Sequence, residues 1–521
     1  MRSPCLKWTL LTAVLAIAMI VRLEVLWSRR FDGLYGQDAY AYYYHGLALW
    51  RNHALSYHWP WLPAPLRLYW PIGEPALVAV AMAIAGHPSA LAAQSVSVVA
   101  GLGVVALTYL LTLRVATHVL PVSWTTWTAA LAAMLIALSG LEVQAGGTIM
   151  ADAPALCWGS AAVWFWTTPS GGKITRHPVP LGGAAGICFA LAVSTRFEYA
   201  PLAAAPALYW AARRSQGGTP SALAALGGAI LAGTPQMLYS LSYSDPVLHQ
   251  QWLTGWGLEH LWQTDFATQD GAQHYPMSAG AFYLLRPLIS PQSLPLTLAP
   301  FLLVGIVILY VGTYNAWTNG QLAPTSRPLL LLLLAWWLVP ALYLSGVPFE
   351  SARFALIFAP PLAVLEAVGL AGAVYWLPVG RRRVLPAVFM LVGLSLGILV
   401  VDAPRPLGAL ASGKAGDLAA VRWLNLHAPP GAVLVTFGLT LTLYHYGDSQ
   451  DRRWTLVDLS SATTGDLRGL ARTYPLVVVA NEANLAEQWA GLPPEKALQW
   501  LLGHARLRPV ARIGGYTIRE R

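Results

Sequence analysis

The sequence predicts a polytopic α-helical membrane protein with a small α/β domain at its C-terminal end. Three observations support this. Of 521 residues 56% are hydrophobic and only 11% charged, with a mean hydropathy of +0.52. An average soluble domain carries roughly 25% charged residues, so a single water-soluble globule is excluded. The charges are also uneven: 33 in the first 402 residues against 22 in the last 119. Finally, the first part is built of apolar runs near the roughly 17–25 residues that cross a bilayer as a helix.

Taken in order, those runs lie near 6–27, 91–113, 124–141, 153–168, 179–195, 199–212, 221–243, 293–316, 329–346, 354–376 and 384–402, which gives about eleven spans. Arg2 and Lys7 followed by an apolar run from Trp8 resemble a signal sequence. No small-x-small cleavage site follows, so an uncleaved anchor is expected. The stretch 75–86 is too short to cross and reads as a re-entrant or interfacial helix. With 75–86 not spanning and the N-terminus inside, the inner loops hold Arg114, Lys173, Arg176, Arg213, Arg214, Arg327, Arg381, Arg382 and Arg383, and no acid. Basic loops stay on the cytoplasmic side. The expected protein is therefore a multi-pass protein of the cytoplasmic membrane with its C-terminal domain outside. Residues 1–402 form the membrane domain, with long outer loops 28–90 and 244–292, and 403–521 the extracytoplasmic domain.

The tail changes pattern. DLAAVRWLNLHA (417–428) is amphipathic, AVLVTF (432–437) and PLVVVAN (475–481) read as buried strands, and RPVARIGGYTIRE (508–520) as a hairpin. It has neither GxGxxG nor GxxxxGK[ST], and reads as a structural or acceptor-docking domain. The net charge of +9 follows the inner loops rather than forming a nucleic-acid surface, so no nucleic-acid partner is expected. Cys5, Cys157 and Cys188 all fall in apolar segments and offer neither a disulfide framework nor a CxxC metal site.

The chemistry-bearing residues gather at the outer ends of the spans. Asp38 lies in FDGLYGQDAYAYYYHGLALW (31–50), where it suits either a helix cap or a carboxylate held near the membrane surface. Tyr40, Tyr42, Tyr43 and Tyr44 fit an interfacial aromatic belt equally well. Asp152 opens a span in Met-Ala-Asp-Ala-Pro, Arg196 and Glu198 end another, and Glu350 and Arg353 open a later one. Ionisable groups are costly at such depths and mark functional sites by default. Acids beside arginines suit a phosphorylated lipid head group and a hydroxyl awaiting deprotonation.

This order of features resembles the GT-C membrane glycosyltransferases, above all the branch of protein O-mannosyltransferases and lipid A aminoarabinose transferases. It comprises one span, a long outer loop with an early Asp38 among aromatics, Trp70-Pro-Ile-Gly-Glu-Pro75, a second acid Asp152 ahead of a span, and Arg353-Phe leading to Pro360-Pro361. The likeness runs over nearly all of residues 1–400 and rests on order and topology rather than any one string. WWDYG is absent, which disfavours transfer of a whole oligosaccharide to asparagine. The PPL of the aminoarabinose branch is replaced by Gly-Glu-Pro, which leaves the substrate open.

The resemblance implies transfer of one sugar from a polyprenyl-phosphate donor to a hydroxyl of a protein, lipid or glycan acceptor, in contact with membrane lipids. It also implies inversion with Asp38 as base. Arg353, with Arg196 second, is the expected phosphate ligand, and Asp152 orients the acceptor or holds a divalent metal. Glu74, Glu198, Glu350 and Tyr40 are accessory candidates, the glutamates equally suited to partnering nearby arginines. His45, His53, His58, His249, His260 and His274 lack metal-ligand spacing and read as surface residues. Glu366 lies inside a span. The competing reading is a lipid or sugar transporter or flippase; the absence of an inverted repeat, and acids at one face rather than at mid-membrane, speak against it.

Overall fold

A computed structural model describes residues 4–521 apart from 69, 169–177, 214–218, 243–254, 269–270, 290–297, 319–325, 377–384 and 448–453. Lys173, Arg176, Arg214, Arg381, Arg382, Arg383 and His249 lie outside the described residues. The chain forms two compact units. One comprises Met1–Gly33, Tyr69–Gln263 and Met277–Leu407, the other Leu34–Leu68, Thr264–Pro276 and Gly408–Arg521. Composition divides the sequence at 402; packing adds pieces of both long loops to the tail.

In chain order the helices are α1 (Pro4–Ser28), α2 (Gly36–Asn52), α3 (Gly73–Ala85), α4 (Ala90–Ala116), α5 (Val122–Ala137), α6 (Gly140–Gly147), α7 (Asp152–Trp166), α8 (Pro178–Thr195), α9 (Ala204–Arg213) and α10 (Thr219–Leu241). They continue with α11 (Ala279–Ile289), α12 (Ala299–Thr318), α13 (Ser326–Ser345), α14 (Ala359–Trp376), α15 (Leu385–Asp402), α16 (Arg405–His427), α17 (Thr440–Tyr446), α18 (Thr464–Thr473), α19 (Glu482–Glu487) and α20 (Pro493–His504).

Among the described residues, helix occupies most of every apolar segment read as a span. Among the described residues, six helices are long and apolar enough to cross a membrane, and α5 with α6, bent by 63°, makes a seventh if the pair is one span. Gly73–Ala85, Val179–Thr195 and Ala299–Val311 are apolar but shorter among the described residues. A 3-10 helix at Phe197–Ala203, containing Pro201, takes up the start of the 199–212 segment and leaves α9 only ten residues. α3 is a 13-residue helix, in keeping with its reading as too short to span.

The first unit packs through small residues. A Cβ at Gly369 of α14 would strike the carbonyl of Phe301, and one at Gly305 of α12 the carbonyl of Leu365. Glycine is the residue that lets two helix backbones approach this closely. α14 is thereby sunk into the bundle, with Ala359 through Gly372 all buried.

In the second unit β1 (Ser56–Tyr57) pairs with β2 (Leu66–Arg67) and β3 (Asp265–Thr268) with β4 (Gly271–His274), and a five-stranded sheet follows of β5 (Ala432–Phe437), β6 (Trp454–Asp458), β7 (Leu476–Ala480), β8 (Arg508–Ile513) and β9 (Tyr516–Glu520), in the order β6-β5-β7-β9-β8. β6, β5 and β7 are parallel, and β9 returns antiparallel to β7. β5 and β7 are buried at every position because helices cover both sheet faces, which is why they read as unbroken apolar runs. Val433, Val435 and Phe437 face α18 and α20 through Leu467 and Leu498, while Ala432 and Leu434 meet Val421 and Leu424 of α16. The aromatic residues of Leu34–Leu68 complete this unit: Tyr44 stacks near Tyr57 and Tyr444 at 4.7 and 5.4 Å, and its hydroxyl lies 2.8 Å from His445 Nδ1.

Candidate active site

In the first unit four chain segments bring their charges together. Asp152 stands at the first position of α7, two residues after Met150, whose carbonyl accepts a hydrogen bond from the Ser97 hydroxyl of α4 at 3.3 Å. α8 ends at Thr195, and extended Arg196 (φ −154°) turns the chain into the following 3-10 helix. Gly73 lets the start of α3 rest on that corner; a Cβ there would lie 2.8 Å from Thr195 Cα. Extended Ser351 opens the 3-10 helix Ala352–Phe358, with its amide donating to the Tyr283 hydroxyl (3.1 Å), which in turn donates to the Phe349 carbonyl (3.0 Å).

The charges are paired unequally. Arg196 forms an ion pair with Asp152 Oδ1, and its Nε lies 3.5 Å from Glu198 Oε2. Its guanidinium sits 4.7 Å above the Phe354 ring. Arg353 Nε stands 3.9 Å from the other oxygen of Asp152, and its Nη1 lies 3.8 Å from Met150 Sδ. The side chains of Asp152 and Arg196 are 3% and 10% exposed, that of Arg353 30%. Glu74, in the first turn of α3, is wholly buried and has no hydrogen-bond partner among the described residues. Burial first, and the charge of Asp152 second, raise its carboxyl well above the usual range. Asp152, Glu198, Arg196 and Arg353 make the ion pairs, with Arg353 the most open. Glu350 is buried two residues before the 3-10 helix.

An apolar groove of about 340 Å³ runs between α8 and α10, lined by Phe189, Val193, Ser194, Gly233, Gln236 and Met237. It reaches Ser194, two residues from Arg196. Gln236 closes one side, accepting a hydrogen bond from the Ile72 amide at 2.8 Å.

Asp38 and Tyr40 belong to the second unit. Tyr35, not Asp38, occupies the cap position of α2, and no side chain caps it. Asp38 lies in the first turn, half-buried, where the helix dipole favours a carboxylate. Tyr40 is buried and donates to Thr442 Oγ1 at 3.1 Å. His45 is not a surface residue: it is 2% exposed, its ring nitrogens 2.8 and 3.3 Å from the carbonyls of Ala41 and Leu66, and burial lowers its pKa.

The sequence reading missed two buried charge systems. Arg22 of α1 and Glu142 of α6 form a sealed ion pair, and Lys414 and Asp417 of α16 lie inside the second unit. A charge inside an apolar run is the signal that marked the first; nothing in the amphipathic pattern of α16 separates buried from exposed charges. Glu366 is 1% exposed on α14, and neither carboxylate oxygen has a hydrogen-bond partner among the described residues.

Among the described residues no group of three or more His, Cys, Asp or Glu is arranged to hold a metal ion. Asp152 is already engaged by two guanidinium groups, which disfavour a cation beside it.

No protein-family model matches this chain, and no curated protein matches it in sequence. Solved structures do. ArnT from Cupriavidus metallidurans bound to undecaprenyl phosphate matches with a TM-score of 0.60 at 14% identity, over 99% of this chain and 98% of that one. The oligosaccharyltransferase AglB from Archaeoglobus fulgidus, in complex with an inhibitory peptide and a dolichol-phosphate, matches with 0.54 at 14% identity, over 96% and 71%. The Archaeoglobus fulgidus oligosaccharyltransferase in complex with Zn and sulfate matches with 0.50 at 15% identity, over 90% and 68%. At these identities the likeness is one of fold, and this chain shares the fold of ArnT over nearly the whole length of both chains.

Proposed function

We propose that the protein is a membrane glycosyltransferase that moves one sugar from a polyprenyl-phosphate donor to an acceptor hydroxyl on the outer face of the cytoplasmic membrane. The observation that supports this most is the pairing of Arg196 and Arg353 around buried Asp152 at the ends of apolar helices. Two matched structures contain a polyprenyl or dolichol phosphate. Arg353, with Arg196 behind it, meets the donor phosphate; Asp152 holds both guanidinium groups in place, and the groove between α8 and α10 takes part of the lipid chain.

The chemistry needs few groups. Asp38 takes the proton of the acceptor hydroxyl as that oxygen bonds to the anomeric carbon. The bond from that carbon to the phosphate oxygen breaks with inversion, and its electron pair leaves with the phosphate. A phosphate departs as a stable anion and needs no general acid, so positive groups that meet its growing charge are the useful ones, and one base suffices. Glu74, Glu198 and Glu350 shape the surroundings of the arginines.

Purified protein in lipid, supplied with polyprenyl-phosphate sugars and candidate acceptors, should release polyprenyl phosphate. Asp38→Asn keeps the size of the side chain but cannot take the proton, and should lower turnover about a hundred- to ten-thousandfold. A folded Asp38→Asn protein that keeps more than about a tenth of turnover ends the assignment of the base. The orientation, with eleven spans, N-terminus inside and tail outside, is tested by impermeant thiol labelling: Ser449→Cys should react in intact cells and Ser170→Cys should not.

A further inference from the structure

We propose that Lys414 is a positioning residue for Asp38: from α16 it holds the root of α2 by hydrogen bonds on either side of that aspartate. The inference rests on the reading of Asp38 as the base and adds how that carboxylate is aimed.

The chain enters α2 through Leu34, Tyr35 and Gly36, with Gly36 at φ +76°, a conformation that costs a side chain-bearing residue energy. Nothing in those three residues caps the helix, so the entry angle must be set from outside it. Lys414 does this. Its Nζ donates to the Leu34 carbonyl at 2.6 Å, four residues before Asp38, and to the Tyr40 hydroxyl at 3.3 Å, two residues after it. A third bond reaches the Tyr446 hydroxyl at 2.8 Å, and the ammonium lies 4.1 Å from the Tyr446 ring centre. One turn along the same helix face, Asp417 closes the circuit: Tyr40 donates to Thr442, Thr442 to Asp417 Oδ2 at 3.3 Å, and Tyr516 to Oδ1 at 3.0 Å. Gly413, beside Lys414, is where Tyr35 rests, and a Cβ there would overlap the Tyr35 hydroxyl.

A buried ammonium is an expensive way to join two helices. Lys414 is 4% exposed, and an ion removed from water costs several kcal/mol unless its donors are satisfied. Packing alone would be served as well by an apolar residue of similar length. What the ammonium adds is direction: three short bonds fix the Leu34 carbonyl and the Tyr40 hydroxyl together. The first turn of α2, and Asp38 on it, cannot swing without breaking them.

The test is a double-mutant cycle in the full-length protein, with turnover and donor KM measured for Lys414→Met, Tyr40→Phe, Asp38→Asn and each pairing with Asp38→Asn. If Lys414 aims the base, Lys414→Met and Tyr40→Phe lower kcat about ten- to a hundredfold, the cost of a misplacement near 1 Å, with donor KM unchanged. Neither then adds to the loss of Asp38→Asn. Tyr40→Phe removes one hydroxyl and keeps the ring, so it decides the matter if Lys414→Met does not fold. Lys414→Arg retains the charge and should recover part of kcat. Folded Lys414→Met and Tyr40→Phe proteins with near wild-type kcat, or losses that multiply with that of Asp38→Asn, overturn the inference and leave the base assignment standing. An active Asp38→Asn protein sinks the base assignment itself, and the inference with it.

Discussion

Two ion pairs in the first unit share the same chemistry but not the same surroundings. Arg22 and Glu142 are 0% and 1% exposed, and both are enclosed by helix. Two glycines make room for them: a Cβ at Gly101 would sit 2.8 Å from Glu142 Oε1, and one at Gly146 2.9 Å from Arg22 Nε. Asp152 and Arg196 are also buried, yet their cluster continues to Arg353, whose guanidinium is partly open. The sealed pair can only hold helices in register. The cluster leaves one guanidinium accessible, which is what the proposed phosphate contact requires. Burial alone does not distinguish a structural pair from a site; an accessible end does.

The largest expected effect breaks the sealed pair. Arg22→Met leaves Glu142 buried and unpaired, and removing one partner of such a pair costs about 3–5 kcal/mol. Thermal unfolding in detergent should show it as a large loss of stability. Arg22→Met combined with Glu142→Met should recover most of the loss, because an apolar pair of similar volume is often neutral or better. A single variant as stable as the parent would remove the contrast with the cluster.

Arg353→Ala should do the reverse, keeping stability close to wild type while weakening donor use. A charge-assisted hydrogen bond contributes roughly 1.5–3 kcal/mol, or about ten- to a hundredfold in apparent donor affinity. Lys in its place should recover only part, because it lacks the two-pronged donor set that matches a phosphate. Unchanged donor KM in a folded Arg353→Ala protein would take this arginine out of the site.

The second unit offers an intermediate case. Burial lifts the Asp417 carboxyl from 3.8 to about 6, against the hydrogen bonds of Tyr516 and Thr442 and the charge of Lys414. A carboxyl raised in the folded state contributes stability below its unfolded pKa near 4, and loses that contribution as pH rises through 6. The second unit should therefore lose on the order of 2 kcal/mol between pH 4 and pH 7. Asp417→Asn should flatten that slope, as read by hydrogen exchange on α16 and β5 in the full-length protein. A slope that survives the substitution would assign it to another group.

The smallest effect belongs to Glu74. Its carboxyl is raised by burial and by Asp152, so stability falls as pH rises from the unfolded value near 4.5 toward that raised value. Glu74→Gln cannot ionise in either state and should flatten that slope, leaving the protein at neutral pH at least as stable as the parent, as read by thermal unfolding. A large loss would mean that Glu74 is ionised beside Asp152.

Composition and periodicity determined much of this molecule. Long apolar runs have few ways to fold other than as membrane helices, since each run must satisfy its own backbone, and among the described residues these runs are mostly helical. Alternation and unbroken apolar strings likewise placed Ala432–Phe437, Leu476–Ala480 and the final hairpin. Charges at the ends of spans pointed to Asp152, Arg196 and Arg353 because such groups are costly there, and their side chains do meet.

Tertiary structure alone decided the rest. The residues that aim α2 are 374 and 402 positions away in sequence from Tyr40, and no local pattern records which distant helix supplies a hydrogen bond. Lys414 and Asp417 look like ordinary solvated charges of an amphipathic helix until α2 covers them. The assignment of Leu34–Leu68 to the tail's unit rests on tyrosine and tryptophan rings, residues equally at home at a membrane surface and in a core. Side-chain type fixes what a residue can bond to; only the packed chain decides what it meets.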